Sequence, residues 1–246
     1  MRTELSADLS TILERLEMLV EALEEALDAP GQRHAGGVTQ IGRDHVDLLR
    51  QALEELEPYS PPKDVGAAVR YDATHLAEYG LNMLAELSAL AERLELNELC
   101  TEVELLSLPY ALWITRRGAE ISTLQPVVNA LAKSANLRRD PMELAQLYRH
   151  IAELTEMVSP AARQETAETM HPWKLLLFNR AIVATRSLDP VLMEDAFEAL
   201  VAYLPEEAPA FFEEGMGQMD VIGYPGKVRE VMERYYRRHS QRRQIH

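Results

Sequence analysis

Apolar side chains recur at helical spacing along most of this chain. Between residues 5 and 27 they alternate in steps of three and four, the a and d positions of nearly three heptads: Leu9, Ile12, Leu16, Leu19, Leu23 and Ala26. This stripe predicts an N-terminal amphipathic helix over residues 1–27. The Pro30-Gly31 pair follows it, and four of the eleven glycines fall within residues 28–43. We therefore expect a glycine-rich linker or loop over 28–43.

The helical spacing continues beyond this linker. A helix over about 44–57 ends at the prolines of 58–62 and has on one side Val46, Leu49, Leu53 and Leu56. A longer helix over about 64–95 carries one stripe of apolar residues. The apolar run 175–183 has no strand-like segment to pair with, so we interpret it as a central helix. The pattern predicts an all-α fold, with residues 44–246 as an all-helical domain.

From residue 109 onward, proline recurs at intervals, among other places at positions 109, 126, 141, 160, 172, 190, 205 and 225. We expect each of them in the first turn of a helix, where its missing N–H breaks no hydrogen bond. In Asp140-Pro141, Ser159-Pro160 and Asp189-Pro190, a side chain that can cap the helix precedes the proline. Short helices separated by such turns indicate a multi-helix antiparallel array.

Two segments echo each other 49 residues apart, Asp140-Pro-Met-Glu-Leu-Ala and Asp189-Pro-Val-Leu-Met-Glu-Asp-Ala. Repeats of roughly 34–47 residues are typical of helix-pair arrays. In architecture, residues 97–240 resemble a tetratricopeptide-type α-solenoid, with Pro190 as the closing proline and Tyr203 as the aromatic residue of the next repeat. Ala196 and Ala199-Leu200 replace the tryptophan and the Leu-Gly pair of that motif. The resemblance therefore implies an architecture and assigns no functional residue.

Charge and composition exclude several classes of function. The net charge is −15; residues 227–246 carry seven basic and two acidic residues, or +5, which leaves −20 for residues 1–226. An acidic body opposes general binding to nucleic acid and to anionic membranes. Apolar runs stay well short of the ~20 residues that span a bilayer. A single cysteine, Cys100, favours a reducing compartment, so we expect a cytoplasmic protein.

Candidate chemistry is limited to two groups of metal-ligand type. Asp72, His75 and Glu78 lie three residues apart, on one face of a helix, and Glu168 precedes His171 by the same spacing. With forty acidic residues and seven histidines, such spacings also arise by chance on a solvated, ion-paired surface. Nucleophile elbows and phosphate loops are missing from the sequence. We therefore predict no cofactor and no catalytic residue, and keep a metal site as an alternative.

Four residues are candidates for binding a partner. Trp113 precedes Arg116-Arg117-Gly118 near a predicted helix end, and would be an interface anchor if partly exposed and a core residue if not. Arg234, Arg238 and Arg242 lie on or beyond the last helix, where they would either dock an acidic partner or balance the helix dipole and the acidic remainder of the chain.

The N-terminal heptads leave two arrangements open, a homodimer through residues 5–27 or a helix packed on its own domain. Taken together, the sequence favours a non-enzymatic cytoplasmic helical module that binds or scaffolds a protein partner. The alternatives are a metal-dependent helical-bundle enzyme built on Asp72, His75 and Glu78, and a regulator that contacts nucleic acid through its C-terminal arginines.

Overall fold

A computed structural model of the chain describes residues 7–28, 43–58, 66–164 and 171–240. Those residues form ten α-helices and no β-strand, which confirms the all-α prediction, and neighbouring helices pack as an antiparallel array. The helices are α1 Leu9–Asp28, α2 Arg43–Leu56, α3 Ala67–Arg93, α4 Asn97–Thr115, α5 Gln125–Leu137, α6 Pro141–Glu156, α7 Pro172–Arg186, α8 Pro190–Tyr203, α9 Ala208–Ile222 and α10 Gly226–Ser240. Almost all of the linker predicted over 28–43 lies outside the described residues.

The described residues divide into two compact units. The first unit contains α1 to α4, α5 as far as Ser134, and the later segment 156–164. The second unit contains residues 135–155 and the chain from α7 to α10. The segment 156–164 joins the first unit through a parallel bridge between Ile121 and Val158. The solenoid arrangement predicted for residues 97–240 stays a prediction.

In the first unit, the N-terminal stripe is buried. Asp8 caps α1, because its Oδ2 accepts the N–H of Thr11 at 3.2 Å, and the helix therefore begins at Leu9. The a and d residues Leu9, Ile12, Leu16, Leu19 and Leu23 are buried, and α1 packs against α2 and α4. Within the single chain, the stripe of α1 is thus packed on its own unit. A homodimer through residues 5–27 is not tested by this packing and stays a prediction.

Proline positions follow the expectation only in part. Pro126, Pro141, Pro172 and Pro190 stand in the first turn of a helix, whereas those at 160, 205 and 225 lie in turns outside the helices. The expectation is wrong for Pro109, which lies inside α4. A proline there costs about 3 kcal/mol because it removes a helix hydrogen bond. Every residue of α4 from Leu106 to Thr115 is buried, and that burial outweighs the cost.

In the second unit, aromatic rings join the last three helices. Phe197 of α8 contacts both Phe212 of α9 and Tyr235 of α10 edge to face, with ring centroids 5.1 and 5.2 Å apart. Phe197 and Phe212 are fully buried, and His239 lies beside Phe212 with 5.6 Å between the rings. Edge-to-face packing of this kind fixes helix positions as well as burying area. It holds α8, α9 and α10 in one core.

Candidate functional site

The second unit has three interhelix turns that concern the site, and the first two share a local design. Residues 137–142 join α5 to α6, residues 186–191 join α7 to α8, and residues 221–226 join α9 to α10. Asp140 Oδ1 accepts the N–H of Met142 at 2.8 Å, and Asp189 Oδ1 accepts that of Val191 at 2.9 Å. A proline holds the first helical position in both, as expected from the sequence. These caps fix where α6 and α8 begin and set an apolar residue beside each cap.

The second of these turns lies next to the other two. Arg186 Nη2 donates a hydrogen bond to the carbonyl oxygen of Arg138 at 3.0 Å, which joins the second turn to the first. Arg186 also acts on Tyr224 in the third turn: burial raises the pKa of the Tyr224 phenol, and the nearby guanidinium offsets part of that rise. The turn 186–191 is therefore bonded to the first turn, and its Arg186 lies close enough to Tyr224 to affect that phenol.

Helix directions place the third turn at the same end of the unit. Arg234 pairs with Glu194, and four residues later Arg238 pairs with Glu198 at 3.5 Å, so α10 runs parallel to α8. Parallel neighbours have their N-termini at one end, and the turn before α10 therefore lies beside the turn before α8. The same contacts show where two of the predicted partner-binding arginines lie, on exposed positions facing carboxylates of α8. Arg242 lies outside the described residues.

The three turns expose an unusual amount of aliphatic surface. Twelve large apolar side chains are exposed among the described residues, and half of them lie in these eighteen positions. The exposed fractions run from 37% at Leu188 to 82% at Val221, and the six residues are Leu137, Met142, Leu188, Val191, Val221 and Ile222. With roughly 120 Å² for a fully exposed aliphatic side chain, they present about 460 Å² of apolar area. We call this surface the turn edge.

Leu188 adds backbone strain to the turn edge. Its φ is +58°, in the left-handed region, and it directly follows Ser187, the C-terminal cap of α7. Glycine is the residue most often found at this position because a side chain there costs about 1–2 kcal/mol. Leu188 is nevertheless a leucine, and it is 37% exposed. More than a third of this strained residue therefore stays exposed in the unit.

The turn edge differs in charge from the rest of the chain. Residues 137–142, 186–191 and 221–226 hold three arginines and two aspartates, which leaves +1 in a chain of net charge −15. Burial lowers the pKa of Arg138 from its ordinary value, and the nearby Glu143 offsets part of that decrease. Because arginine side chains are effectively always protonated in proteins, the guanidinium stays charged. Asp140 and Asp189 accept capping hydrogen bonds from the backbone. A nearly neutral apolar surface is the kind that associates with another protein.

A tyrosine–arginine–aspartate cluster, in which the tyrosine and the arginine are buried and the aspartate is exposed, holds the helices behind the turn edge. Tyr148 of α6 and Arg180 of α7 are buried, and both donate hydrogen bonds to Oδ2 of Asp195 on α8, the arginine at 2.7 Å. Arg180 Nε also donates to the Tyr148 hydroxyl at 3.3 Å. The cluster therefore links three helices that carry the first two turns. Sequence reasoning missed it, because one residue from each of three helices gives no spacing signal.

The protonation states in this cluster follow from its contacts. Burial raises the pKa of Tyr148, and the hydrogen bond to Asp195 raises it further, so the phenol keeps its proton. Burial also raises the pKa of Asp195, but the bonds from Tyr148 and Arg180 outweigh it and hold this pKa below its ordinary value. The carboxylate is thus charged at neutral pH and balances the buried guanidinium. This arrangement fixes helix positions, because the Asp195 carboxylate is bonded to both the Tyr148 hydroxyl and the Arg180 guanidinium.

Of the two positions that the sequence left open for Trp113, the structure has the core position. Trp113 lies in the first unit, only 2% exposed, with the Arg117 guanidinium stacked 3.6 Å from its ring centre. Arg117 in turn donates to three carbonyl oxygens: that of Trp113 at 2.9 Å, that of Leu56 at 3.2 Å and that of Glu57 at 3.3 Å. Leu56 is the last residue of α2 and Glu57 follows it, and the helix dipole favours a cation at this end. Arg117, stacked on Trp113, therefore holds the C-terminal end of α2 against α4.

The metal-ligand candidates do not come together in the structure. Asp72 and His75 are exposed or half-buried on α3 together with Glu78, and the nearest ring to His75 is that of Tyr71, with 4.2 Å between the ring centroids. His171 is the N-cap residue of α7, and Glu168 lies outside the described residues. Across the described part of the chain, no three histidine, cysteine or acidic side chains converge as metal ligands would.

A cleft of about 250 Å³ lies between α1 and α2 in the first unit. It is lined by Glu17, Val20, Glu21, Arg43, Val46 and Asp47. Two of its glutamates already bind arginines of α2, Glu21 at 3.3 Å from Arg43 and Glu17 beside Arg50. The cleft is therefore an ion-paired surface groove, and its polar groups do not converge on a common point as those of a ligand pocket do.

Comparisons with protein families, with curated proteins and with solved structures find no match for this chain. Among the described helices, none combines the length and the apolar character that crossing a bilayer requires. The turn edge is therefore the feature on which a functional assignment rests. One part of it was visible in the sequence: the two Asp-Pro pairs mark equivalent turns. The exposure of the residues beside them was not.

Proposed function

We propose that this chain is a non-enzymatic cytoplasmic helical module that associates with a protein through its turn edge. The supporting observation is the concentration of half the exposed large apolar side chains of the described residues in three adjacent turns. About 460 Å² of apolar area is close to the apolar share of a standard protein interface, which buries about 800 Å² per partner and is roughly 57% apolar.

Leu188 supports the same proposal from the backbone. Leu188 keeps a strained backbone while more than a third of its surface stays exposed, and a partner that covers this remainder would help to explain the strain. The caps and the Tyr148–Arg180–Asp195 cluster hold the turns in place before a partner arrives. A surface ordered in advance loses little conformational entropy on binding.

Two methionines provide a matched test. Met142 is 68% exposed in the turn edge, and Met18 is 69% exposed on α1 in the other unit. We expect Met142→Arg to reduce at least tenfold the amount of protein captured by the full-length chain, since a charge replaces an interface contact. The captured protein is either another copy of the chain or a different protein. Met18→Arg should leave the amount unchanged.

The measurement is quantitative capture by the tagged full-length chain from a lysate of its source, with circular dichroism to show that both variants keep the helical fold. Equal retention by the wild type and both variants would overturn the proposal. So would a wild-type chain that retains no protein and remains a monomer.

A further inference from the structure

Resting on the proposed function, we infer that the partner at the turn edge is a second copy of this chain, related by a two-fold axis near Leu188. The turn 186–191 adjoins both other turns: Arg186 donates a hydrogen bond to the Arg138 carbonyl oxygen, and the parallel course of α8 and α10 sets 221–226 beside it. Each turn carries two exposed apolar side chains. The three turns therefore present a similar apolar surface whether they are followed from the first turn to the third or from the third to the first. Two copies can therefore face each other through the same patch, as a two-fold interface requires.

The reversed pairing places each turn opposite a suitable one. The central turns face each other, with Leu188 and Val191 of both copies near the axis. The turn 137–142 then faces 221–226 of the other copy, which brings Leu137 and Met142 opposite Val221 and Ile222. All six of these side chains are exposed in the single chain.

Charge also favours this surface for self-association. Two copies of net charge −15 repel each other through most of their surfaces. At the turn edge, the first turn carries +1, from two arginines and one aspartate, and the central turn carries one residue of each sign. Residues 221–226 carry no charged side chain. In the reversed pairing, the first turn therefore faces an uncharged turn and the two neutral central turns face each other, so no facing turns repel through their net charges.

The amount of apolar surface suits a dimer. About 460 Å² from each copy is the apolar share expected of a standard-size interface, which suffices for a stable contact between two chains. Larger obligate interfaces bury at least about 2,000 Å² in total. We therefore infer a dimer that exchanges with monomer at roughly micromolar concentrations rather than a permanent one.

The first experiment measures the mass of the full-length chain by sedimentation velocity from about 1 to 100 µM. We expect it to rise from 27.8 kDa towards twice that value. Leu137 and Leu48 are matched leucines, 65% and 64% exposed. Leu137→Arg should weaken the dimer at least tenfold, whereas Leu48→Arg should change it less than twofold.

Two further sets of variants test the reversed geometry. Leu137→Glu and Val221→Lys should each weaken the dimer about tenfold, and the double variant should recover to within about threefold, since the new charges meet across the interface. In a Cys100→Ser background, Leu188→Cys should form a disulfide-linked dimer under mild oxidation, because its copies lie near the axis, while Leu48→Cys should stay largely monomeric.

The outcomes separate the two proposals. A wild-type chain that stays monomeric at about 100 µM, or a dimer insensitive to Leu137→Arg, overturns the inference of a second copy. If the chain is monomeric but Met142→Arg still loses a captured protein of another sequence, the proposed function stands and only the second copy is rejected. If the double charge variant shows no recovery and Leu188→Cys no cross-link, the two-fold geometry is wrong.

Discussion

Gly80 of α3 faces the ring of Tyr110 on α4 at a distance that leaves no room for a side chain. A Cβ atom at residue 80 would lie 2.2 Å from the Tyr110 hydroxyl oxygen and 2.3 Å from the ring carbon that carries it. Tyr110 is only 2% exposed, and its hydroxyl donates to the carbonyl oxygen of Leu76 at 2.5 Å. Gly80→Ala must therefore displace a buried ring and break its hydrogen bond.

The expected cost follows from three contributions. Overpacking a core by one methyl group costs about 1–3 kcal/mol, and loss of the Tyr110 hydrogen bond costs about 1 kcal/mol more. Alanine offsets about 1 kcal/mol, because it favours the helix more than glycine does. We expect Gly80→Ala to lower the free energy of unfolding by about 2 kcal/mol and the Tm by about 4–8 °C.

Gly217 of α9 provides the control, since a Cβ there meets nothing within 4 Å. Gly217→Ala should keep only the gain in helix propensity and raise the free energy of unfolding by up to about 1 kcal/mol. Both variants can be measured by calorimetry and by urea unfolding followed by circular dichroism. If Gly80→Ala is as stable as Gly217→Ala, the close packing of Tyr110 on Gly80 described above is wrong.

Three further predictions concern individual contacts. Asp195→Asn leaves the buried Arg180 guanidinium without its carboxylate and should cost about 1–2 kcal/mol at pH 7, a value reduced because Asp195 is itself exposed. Since the folded-state pKa of Asp195 lies below its ordinary value, the difference from wild type in urea unfolding should persist above about pH 4 and shrink as the pH falls further; a difference independent of pH would contradict this. Arg117→Ala should lower the free energy of unfolding by about 3 kcal/mol in the same assay. Arg117→Lys should recover less than half of that loss, because an ammonium group cannot both reach three carbonyl oxygens and cover the face of Trp113. Full recovery by lysine would show that the positive charge alone matters. Leu188→Gly should raise the Tm by about 1–3 °C, because glycine relieves the left-handed strain, and a lower Tm would show that the leucine packs within its own unit.

Helix positions were predictable because they depend on local pattern. The a and d residues of α1 and the Val46 to Leu56 stripe of α2 are buried as their spacing indicates. The caps at Asp140 and Asp189 were also visible, since an acceptor side chain before a proline is a local signal. Pro109 was misjudged for the opposite reason: burial from all sides, which is a tertiary effect, keeps α4 helical through it.

The candidate site depended on information that local pattern does not contain. An apolar residue after a helix cap has the same appearance in the sequence whether it is covered or exposed, so Val191 and Met142 gave no warning of their exposure. The left-handed backbone of Leu188 was equally invisible, because leucine is seldom found in that conformation. The sequence left Trp113 open between an interface anchor and a core residue, because its neighbouring arginines are compatible with either, and one of them covers its ring.

The segment 156–164 has a consequence for the order in which the protein is made. It belongs to the first unit, where the Ile121 N–H donates to the Met157 carbonyl oxygen and the Ser159 N–H to that of Ile121, both at 2.9 Å. Residues 135–155 of the second unit are synthesised before it. At about 5–20 residues per second, the ribosome therefore holds the first unit incomplete for about 2–6 s after residue 134 is added. Segments of the two units therefore alternate along the chain, and a fragment that stops at residue 134 lacks part of the first unit.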